Sequence, residues 1–599
     1  MSSHSSAYPD IGDYGVIGNP RTAALVGRDG SIDWCCLPVF HSPAVFAALL
    51  DRESGGRFAV SLEDGTPRRQ RYEPRTNVLE TVLESPAGAV RVLDFMPQFM
   101  DRGEMALRDE IVRSVRCVDG EPTLRVSFDP RMNFDRGETA LSPIDEGCHA
   151  TDGNQSLTLV SDVDLAIGEG GADGERLLAE GEELWLVCRY GDPATALDAR
   201  TGPEAALERT RDYWRRWCDR CSYDGPWREE VLRSALALKL LTAEATGAVV
   251  AAATTSLPEM PGGTRNWDYR YSWIRDSIFS AWSFHVLDYH ETGIDFLNLL
   301  GEKLDPERIP PIVDANGNPV PDEEVIEGFE GYRGSAPVRI GNDAADQLQW
   351  GSYGAMIDGA YFSHRTLGGI DRRSYEEFVR PAVEHVCEAW EEPDHGIWEV
   401  RGEKRQFVTS KTWCWVVLDR GIRIASGQGY REDARRWEPH REEIREDILE
   451  RGWSEKREAF TIAYGEDALD ASVLLMPLVG FLPADHPKME RTIDAIVEEL
   501  GEGPLLYRYR PEAVTSDPIE SGDSPFTTCS FWLVACLVRL GRTEDARELF
   551  EELLEYSTHL GLFAEELDPE TGAQLGNFPQ AYVHMGLINA ATELDEALD

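Results

Sequence analysis

The pattern of hydrophobic and polar positions changes its period about one third of the way along the chain. Up to about residue 200, short runs such as 76–83 and 90–95 alternate between apolar and polar residues, and Gly, Pro and Asp turns separate them. Alternation with a period of two is typical of half-buried strands, and this spacing of turns is typical of an antiparallel sandwich. The first part of the chain is therefore predicted to form an N-terminal antiparallel β-sandwich.

The rest of the chain has a helical period. A charged helical segment follows the strands, and from about residue 227 the helical period continues to the C-terminus. Roughly twelve amphipathic segments begin near residues 227, 275, 290, 343, 372, 409, 431, 467, 488, 525, 543 and 579. Twelve helices indicate six hairpins closed into a ring. We therefore expect a sandwich domain at 1–202, a helical linker at 203–226 and a helical domain at 227–599.

The loops between these helices differ in composition. The stretches rich in Gly and aromatic residues are 266–276, 331–342, 394–410, 460–470, 519–528 and 561–579. Each precedes an alternate helix, whereas the other connections are short and plain. In a ring of helical hairpins, connections of one parity emerge at the same end. The unusual loops are therefore predicted to share one face, where function concentrates on loops held by a rigid scaffold.

Length and charge limit the classes of function. A chain of 599 residues suggests two domains, and a hydrophobic content of 42% is enough for their cores. The formal net charge of -49 would repel nucleic-acid phosphates and anionic lipid headgroups, so neither is expected as a partner. The acids are spread along the chain and Lys is rare, which resembles the hydrated acidic surface of a halophile. We predict a loss of stability at low salt.

Targeting, cysteine and metal signals are weak. The N-terminus has no basic and apolar leader, and no run of about 18 apolar residues follows, so we expect a soluble, cytoplasmic protein. The 11 scattered cysteines indicate buried, reduced thiols. No His or Cys cluster has metal-ligand spacing, and no Gly-rich loop follows a strand as in a nucleotide site. Neither a metal nor a cofactor is predicted, and the oligomeric state is left open.

The loop at 266–276 is the first candidate for binding. It contains Trp267, Tyr269, Tyr271 and Trp273, followed by the adjacent pair Arg275 and Asp276. Aromatic faces stack on the apolar faces of a sugar, while an Arg and an Asp can bond to neighbouring hydroxyls. The alternative is that the rings belong to the core and that Asp276 caps the next helix.

Two carboxylates from distant loops are the candidates for catalysis. Glu399 follows Trp398 in a Gly-containing loop, and Glu565 lies in another such loop, beside Glu566. Hydrolysis of a glycosidic bond needs one protonated and one ionised carboxyl group. The ring of Trp398 can desolvate Glu399, which suits an acid. Glu565 is expected to lie in a more polar setting and to stay ionised, with Glu566 as its rival.

Taken together, these motifs resemble glycoside hydrolase family 15, the glucoamylases and their prokaryotic trehalase relatives. The resemblance rests on 266–276, 331–335, 396–399, 564–565 and 576–581, and on an N-terminal stretch at 27–40. It covers nearly the whole chain. It implies a β-sandwich followed by an (α/α)6 barrel.

The resemblance also implies roles for individual residues. Glu399 matches the general acid and Glu565 the general base. Arg275 and Asp276 match the pair that holds the terminal glucose. The aromatic wall corresponds to Tyr269, Tyr271 and Trp273, with Tyr269 placing the attacking water. A sugar contact is also expected from Trp398 and, in the loop at 331–342, from Arg333.

Several functions remain open at this point. The leading hypothesis is an inverting, exo-acting α-glucoside hydrolase of the glucoamylase type, which acts on an α-linked glucose oligosaccharide or disaccharide and releases β-glucose. Trehalase needs the same acid, base and first glucose site. Phosphorolysis on the same barrel would need an anion site and no carboxylate base, so Glu565 argues against it. A non-catalytic sugar-binding protein would keep the aromatic loop but has no need of both carboxylates.

Overall fold

The computed structural model describes residues 8–101, 104–168, 170–191, 202–290, 294–510 and 522–598. In this part of the chain a domain of antiparallel sheets is followed by a domain of helices, which confirms the predicted fold class. The predicted domain boundary at residue 202 directly follows residues 192–201, which lie outside the described residues. Positions 519–521 of one predicted loop also lie outside them. No helix among the described residues has both the length and the apolar composition of a membrane span.

The N-terminal domain contains eighteen strands among its described residues. They are β1 Tyr14–Asn19, β2 Thr22–Gly27, β3 Ser31–Cys36, β4 Ala44–Phe46, β5 Arg57–Leu62, β6 Thr66–Tyr72, β7 Leu79–Ser85, β8 Gly88–Phe95, β9 Gln98–Asp101, β10 Glu104–Leu107, β11 Glu110–Gly120, β12 Thr123–Asp129, β13 Ala140–Ile144, β14 Gly147–Thr151, β15 Ser156–Ser161, β16 Ala166–Gly168, β17 Gly171–Leu177 and β18 Glu183–Tyr190. One sheet has the order β1-β2-β3-β5-β12-β17-β16, with β4 beside β3. The other has the order β13-β14-β15-β18-β11-β8-β7-β6, and β9 pairs with β10.

Burial along the strands shows which sheet faces the barrel. Strand β5 alternates between half-buried and buried positions, as a strand with one solvated face does. Strands β1, β2 and β3 are buried at every position. Their second face is covered by the helical domain, where Trp34 Nε1 donates to the Ala253 carbonyl at 2.8 Å. The two domains therefore share a continuous core.

Among the described residues, the helical part begins with a linker helix and continues with twelve helices. The linker is α1 Pro203–Cys218, and the twelve are α2 Arg228–Leu240, α3 Ile274–Val286, α4 Ile294–Lys303, α5 Trp350–Leu367, α6 Arg380–Ala389, α7 Val408–Gln428, α8 Arg431–Arg451, α9 Leu475–Leu478, α10 Pro487–Leu500, α11 Thr527–Arg539, α12 Thr543–Leu554 and α13 Ala581–Leu598. Short turns extend α6 and α9 at their N-terminal ends, at 372–379 and 471–474. Two-residue strand pairs brace the loops: Ser272–Trp273 with Ile312–Val313, Glu324–Val325 with Arg339–Ile340, Trp453–Ser454 with Ala459–Phe460, Gly501–Glu502 with Leu505–Leu506, and Glu566–Leu567 with Gln574–Leu575.

The odd-numbered helices from α3 to α13 form a closed inner ring. Each packs against the next, and α13 returns to α3. An inner helix such as α11 is buried at every position from Thr527 to Leu537, whereas the outer helix α10 buries only one stripe, which includes Met489, Ile493 and Ile496. A helix buried all round belongs inside, and an amphipathic helix covers it. The Gly-rich and aromatic loops lead into the N-terminal ends of the inner helices, so they share one end of the barrel.

Candidate active site

Two side chains of the loop before α3 donate hydrogen bonds to the two candidate carboxylates. The Tyr269 hydroxyl donates to Glu565 Oε1 at 2.6 Å, and Trp273 Nε1 donates to Glu399 Oε1 at 2.6 Å. The rings of Tyr269 and Trp273 meet edge to face, with their centroids 5.2 Å apart. Since the two donors belong to neighbouring rings of one loop, the carboxylates face a common space.

The backbone around Glu399 is strained and well supported. Glu399 has a φ of +58°, which is uncommon for a residue other than Gly and is typical of functional turns. Asp394 braces this turn: its backbone pairs with Arg405, and its Oδ2 accepts from the Trp350 N–H at 2.9 Å. The side chain of Gln349 adds a second donor to Glu399 Oε1, at 3.2 Å. The loop therefore fixes the direction of the Glu399 carboxyl group.

Arg275 and Asp276 form a buried ion pair in the first turn of α3. Arg275 Nε lies 3.1 Å from Asp276 Oδ1, and the guanidinium also lies over the ring of Tyr582, at 5.2 Å from its centroid. Burial raises the pKa of Asp276 to about 6, although the charge of Arg275 opposes this shift. The N-cap of α3 is Trp273 rather than Asp276. A desolvated donor and acceptor at this position can bond to adjacent hydroxyl groups of a sugar.

These side chains line two adjoining cavities. The first chamber is lined by Ala251, Tyr269, Trp273, Arg275, Asp276, Ile397, Trp398, Glu399, Arg508, Phe526, Glu565, Gln580 and Tyr582. The second chamber is lined by Glu259, Arg265, Trp267, Tyr269, Asn342, Trp398, Glu399, Arg401 and Arg508. Tyr269, Trp398, Glu399 and Arg508 belong to both. Glu399 therefore lies where the chambers meet, and Glu565 lies only in the first.

Trp398 forms a wall of both chambers. Its Nε1 donates to Asp470 Oδ1 at 2.9 Å, and its ring stacks on Trp532 with the centroids 6.2 Å apart. Asp470 stands at the start of the turn that leads into α9, and Trp532 lies in α11, so a loop and an inner helix hold this ring in place. A fixed ring beside Glu399 offers a sugar an apolar face.

Glu565 and Glu566 point into different surroundings. Glu565 lines the first chamber, whereas Glu566 Oε1 lies 2.8 Å from Arg508 Nη2 and its Oε2 accepts from the Ser524 N–H at 3.3 Å. Glu565 is 2% exposed and accepts from the Tyr269 hydroxyl, so its setting is buried with polar neighbours, and its ionised state stays a prediction. Burial raises the pKa of Glu565, and a nearby Glu259 adds to the shift. Burial is also the main cause that raises the pKa of Glu566.

Two of the predicted sugar contacts lie away from the chambers. Arg333 binds Asp10 and donates to the Tyr8 carbonyl at 3.1 Å, so it fastens the N-terminal segment to the barrel. Tyr271 is buried, and its ring stacks on His41 of the sandwich domain at 5.8 Å between centroids. Residues i, i+2 and i+4 of a straight extended segment share one face, so Tyr271 can turn away from Tyr269 and Trp273 only because the backbone bends at 270–271.

Several residues that line the chambers or contact Glu399 were not found from the sequence. Arg508, Gln349 and Tyr582 come from three separate segments, and Glu259 from a fourth. Arg508 had one weak signal, because it lies in an alternating run of Tyr and Arg at 507–510. Single residues such as Gln349 carried no such signal.

Three buried carboxylates have the spacing of a cation site. Oxygens of Glu259, Asp523 and Glu566 lie within 4.8 Å of one another. Arg508 Nη2 contacts all three, at 2.7 Å for Glu259 and 2.8 Å for Glu566. The positive charge between these acids is therefore supplied by a guanidinium group of the chain itself.

Comparison with protein families matches both domains. The model for glycosyl hydrolases family 15 matches residues 225–592, and the model for a trehalase-like N-terminal domain matches residues 4–214. The boundary between these matches falls within the predicted linker.

Whole-chain relatives are proteins named trehalase. The chain is 39% identical to a trehalase of Mycolicibacterium smegmatis, over 98% of this chain and 92% of that one. It is 36% identical to a trehalase of Thermoplasma volcanium, over 99% of this chain and 94% of that one. Among solved structures, a bacterial glucoamylase complexed with acarbose matches 99% of this chain and 94% of its own with a TM-score of 0.75, at 14% identity, which indicates a shared fold.

Proposed function

Since the chain belongs to glycosyl hydrolase family 15, we propose that it is a trehalase, which hydrolyses α,α-trehalose to two glucose molecules. The observation that carries this proposal is the similarity to proteins named trehalase over nearly the full length of both chains. From the sequence alone, glucoamylase led and trehalase was the alternative. The likeness to a glucoamylase concerns the fold, so it does not support that substrate.

The two chambers suit a disaccharide of two polar rings. In the first chamber, Arg275 and Asp276 bind hydroxyls of one glucose while Trp273 and Trp398 cover its apolar face. In the second chamber, Arg401 and Asn342 line the space for the other glucose. The bond between the rings then lies beside Glu399, which lines both chambers.

The reaction uses the two carboxylates from opposite sides. Glu399 gives its proton to the bridging oxygen, and Glu565 takes a proton from water as that water attacks the anomeric carbon of the first glucose. The Tyr269 hydroxyl, 2.6 Å from Glu565, positions the base. The attacked ring leaves as β-glucose, and the other ring leaves as α-glucose because its own anomeric bond is not broken.

Substitution of each carboxylate tests these roles. Glu399→Gln and Glu565→Gln are each expected to lower kcat on trehalose by about 10²- to 10⁴-fold, the usual contribution of a general acid or base. The matched control is Glu391→Gln, which removes an exposed acid close to Glu399 in sequence. The assays should include maltose and maltotriose. Cleavage of these sugars but not of trehalose would replace the proposal with a glucoamylase activity.

A further inference from the structure

A buried cluster of charges lies directly behind Glu565. Arg508 Nη2 contacts Glu259 at 2.7 Å, Glu566 at 2.8 Å and also Asp523. A second guanidinium, Arg265, lies 3.6 Å from Glu259. The side chains of Glu566 and Asp523 are 0% exposed, and that of Arg508 is 6% exposed. Water therefore screens these charges little.

The cluster holds more acids than bases. With Glu565 there are four carboxyl groups, and they face only the two guanidinium groups of Arg508 and Arg265 among the described residues. The other titratable groups around the cluster are Tyr269, Asp470, Tyr509 and Cys529, which add no positive charge. If all four acids were ionised, the cluster would carry two uncompensated negative charges. Buried like charges at this spacing cannot all ionise, so the cluster must hold protons.

The contacts show which acid keeps a proton most readily. Glu565 accepts from the Tyr269 hydroxyl at 2.6 Å, which favours its ionised form. Glu259 meets both guanidinium groups, and Asp523 meets Arg508 through both Nε and Nη2. Glu566 has only the shared Arg508 Nη2 and one long backbone contact, from the Ser524 N–H at 3.3 Å. Glu565 has no guanidinium contact among the described residues, but it lines the first chamber, whereas Glu566 lines neither chamber, so neither a second guanidinium group nor solvent offsets the negative charge of Glu566.

We propose that Glu566 holds a proton at neutral pH and that Arg508 neutralises the remaining acids, so that Glu565 is free to ionise as the base. Arg508 and Glu566 are thus positioning residues for Glu565. This inference rests on the role of Glu565 in the proposed function. Under this proposal Glu566 is protonated while its neighbour Glu565 is ionised, and the guanidinium group of Arg508 links the two states.

The proton on Glu566 can be tested without any substrate. An unfolded glutamate ionises near 4.5, whereas burial raises the pKa of Glu566 well above that value in the folded protein. The native protein then loses stability, relative to Glu566→Gln, as the pH rises above 4.5. We expect the melting temperature of Glu566→Gln minus that of the native protein to increase steadily between about pH 5 and about pH 9. A constant difference over this range would mean that Glu566 is ionised throughout and would overturn the proposal.

The role of Arg508 is tested by the pH profile of kcat/KM on whichever α-glucoside the enzyme cleaves. The acid limb of this profile is the fall of kcat/KM at low pH, as Glu565 takes up a proton. Loss of a neighbouring positive charge raises the pKa of a carboxyl group, so Arg508→Gln should move the acid limb to higher pH by about one to three pH units. The double variant Arg508→Gln/Glu259→Gln removes one charge of each sign and should show a smaller shift. Arg401→Gln, in the second chamber but outside the cluster, should change KM and leave the limb in place.

The two proposals fail in different ways. If Arg508→Gln raises only KM and leaves the acid limb in place, Arg508 is a sugar contact and the inference is wrong. If Arg508→Gln does not fold, the double variant and the melting curves of Glu566→Gln still decide. If no α-glucoside is hydrolysed, the proposed function fails, while the melting experiment continues to report on Glu566.

Discussion

At the scale of single residues, the hydrogen bond from Trp273 to Glu399 can be tested by a single substitution. Negative charge develops on Glu399 as it gives up its proton, and Trp273 Nε1, at 2.6 Å, stabilises that charge. Trp273→Phe removes the donor and keeps most of the ring. We expect kcat to fall by about 10- to 100-fold, since a hydrogen bond to a charged group contributes about 1.5–3 kcal/mol.

The control for this variant lies in the same loop. Tyr271→Phe changes a ring that stacks on His41 rather than one that contacts either carboxylate. Its kcat should stay within about threefold of the native value. Equal losses in the two variants would show that the loop as a whole, rather than the Trp273 donor, supports Glu399.

The pH dependence at the residue scale follows from Glu565. The base must be ionised to act, and burial raises its pKa above the ordinary value of 4.5. Activity is therefore expected to fall, as the pH is lowered, through a value above 4.5. A profile of kcat/KM measures this limb in the free enzyme. An acid limb at or below 4.5 would contradict the burial of the base.

Sequence reasoning located site residues only where they lie in a motif. Glu399, Glu565 and the loop with Tyr269 and Trp273 were found because several unusual residues are adjacent in sequence. Arg508 reaches the site only through folding of the barrel, and the sequence offers no spacing that links it to Glu259 or Glu566. Arg333 was placed at the site by its loop, but its side chain turns to Asp10. The positions of the Arg508 and Arg333 side chains both depend on acids from segments that are distant in sequence.

At the scale of elements, close contact between inner helices α5 and α7 depends on a glycine. A Cβ added at Gly354 would lie 2.4 Å from a ring atom of Trp413, whereas one added at Gly351 would lie 3.6 Å from that ring. Both glycines lie in α5. We expect Gly354→Ala to destabilise the protein by about 1–3 kcal/mol through overpacking, measured by chemical denaturation. Gly351→Ala should be neutral or stabilising, because Ala favours helix; equal effects would argue against this helix contact.

Helices were easier to predict than strands for a physical reason. Outer helices such as α10 keep one solvated face, so their period is visible in the sequence, and the predicted start at 488 matches Pro487. The inner helix α9 was expected near 467, but a turn at Ala471–Leu474 delays it to Leu475. Strands β1 to β3 are buried on both faces and so lack alternation.

At the scale of the whole molecule, the sandwich domain supports the catalytic loop. Arg270 pairs with Asp268 in that loop at 2.6 Å and donates to the Ser42 carbonyl of the sandwich at 2.8 Å. Arg270 is buried, so this contact is shielded from water. The domain boundary thus lies directly behind Tyr269, which explains how an N-terminal domain outside the chambers contributes to their geometry.

The net charge gives a prediction for the whole molecule. The formal net charge is -49, so the surface acids repel one another. The distance over which this repulsion decays is about 3 Å in 1 M salt and about 30 Å in 0.01 M salt, so low salt strengthens the repulsion. We expect the melting temperature to fall as salt is lowered across this range. Sucrose at low salt, which stabilises without screening, should restore less of the loss than salt does. An unchanged melting temperature across the range would contradict a salt-adapted surface.

The most direct test of the account is the anomeric form of glucose released from trehalose. Purified protein in high salt is mixed with trehalose, and proton NMR follows the first products before the anomers interconvert. Inversion between Glu399 and Glu565 predicts equal initial amounts of α- and β-glucose, and in ¹⁸O water the label enters only the β-glucose. Release of α-glucose alone, or no release from trehalose, would contradict the account.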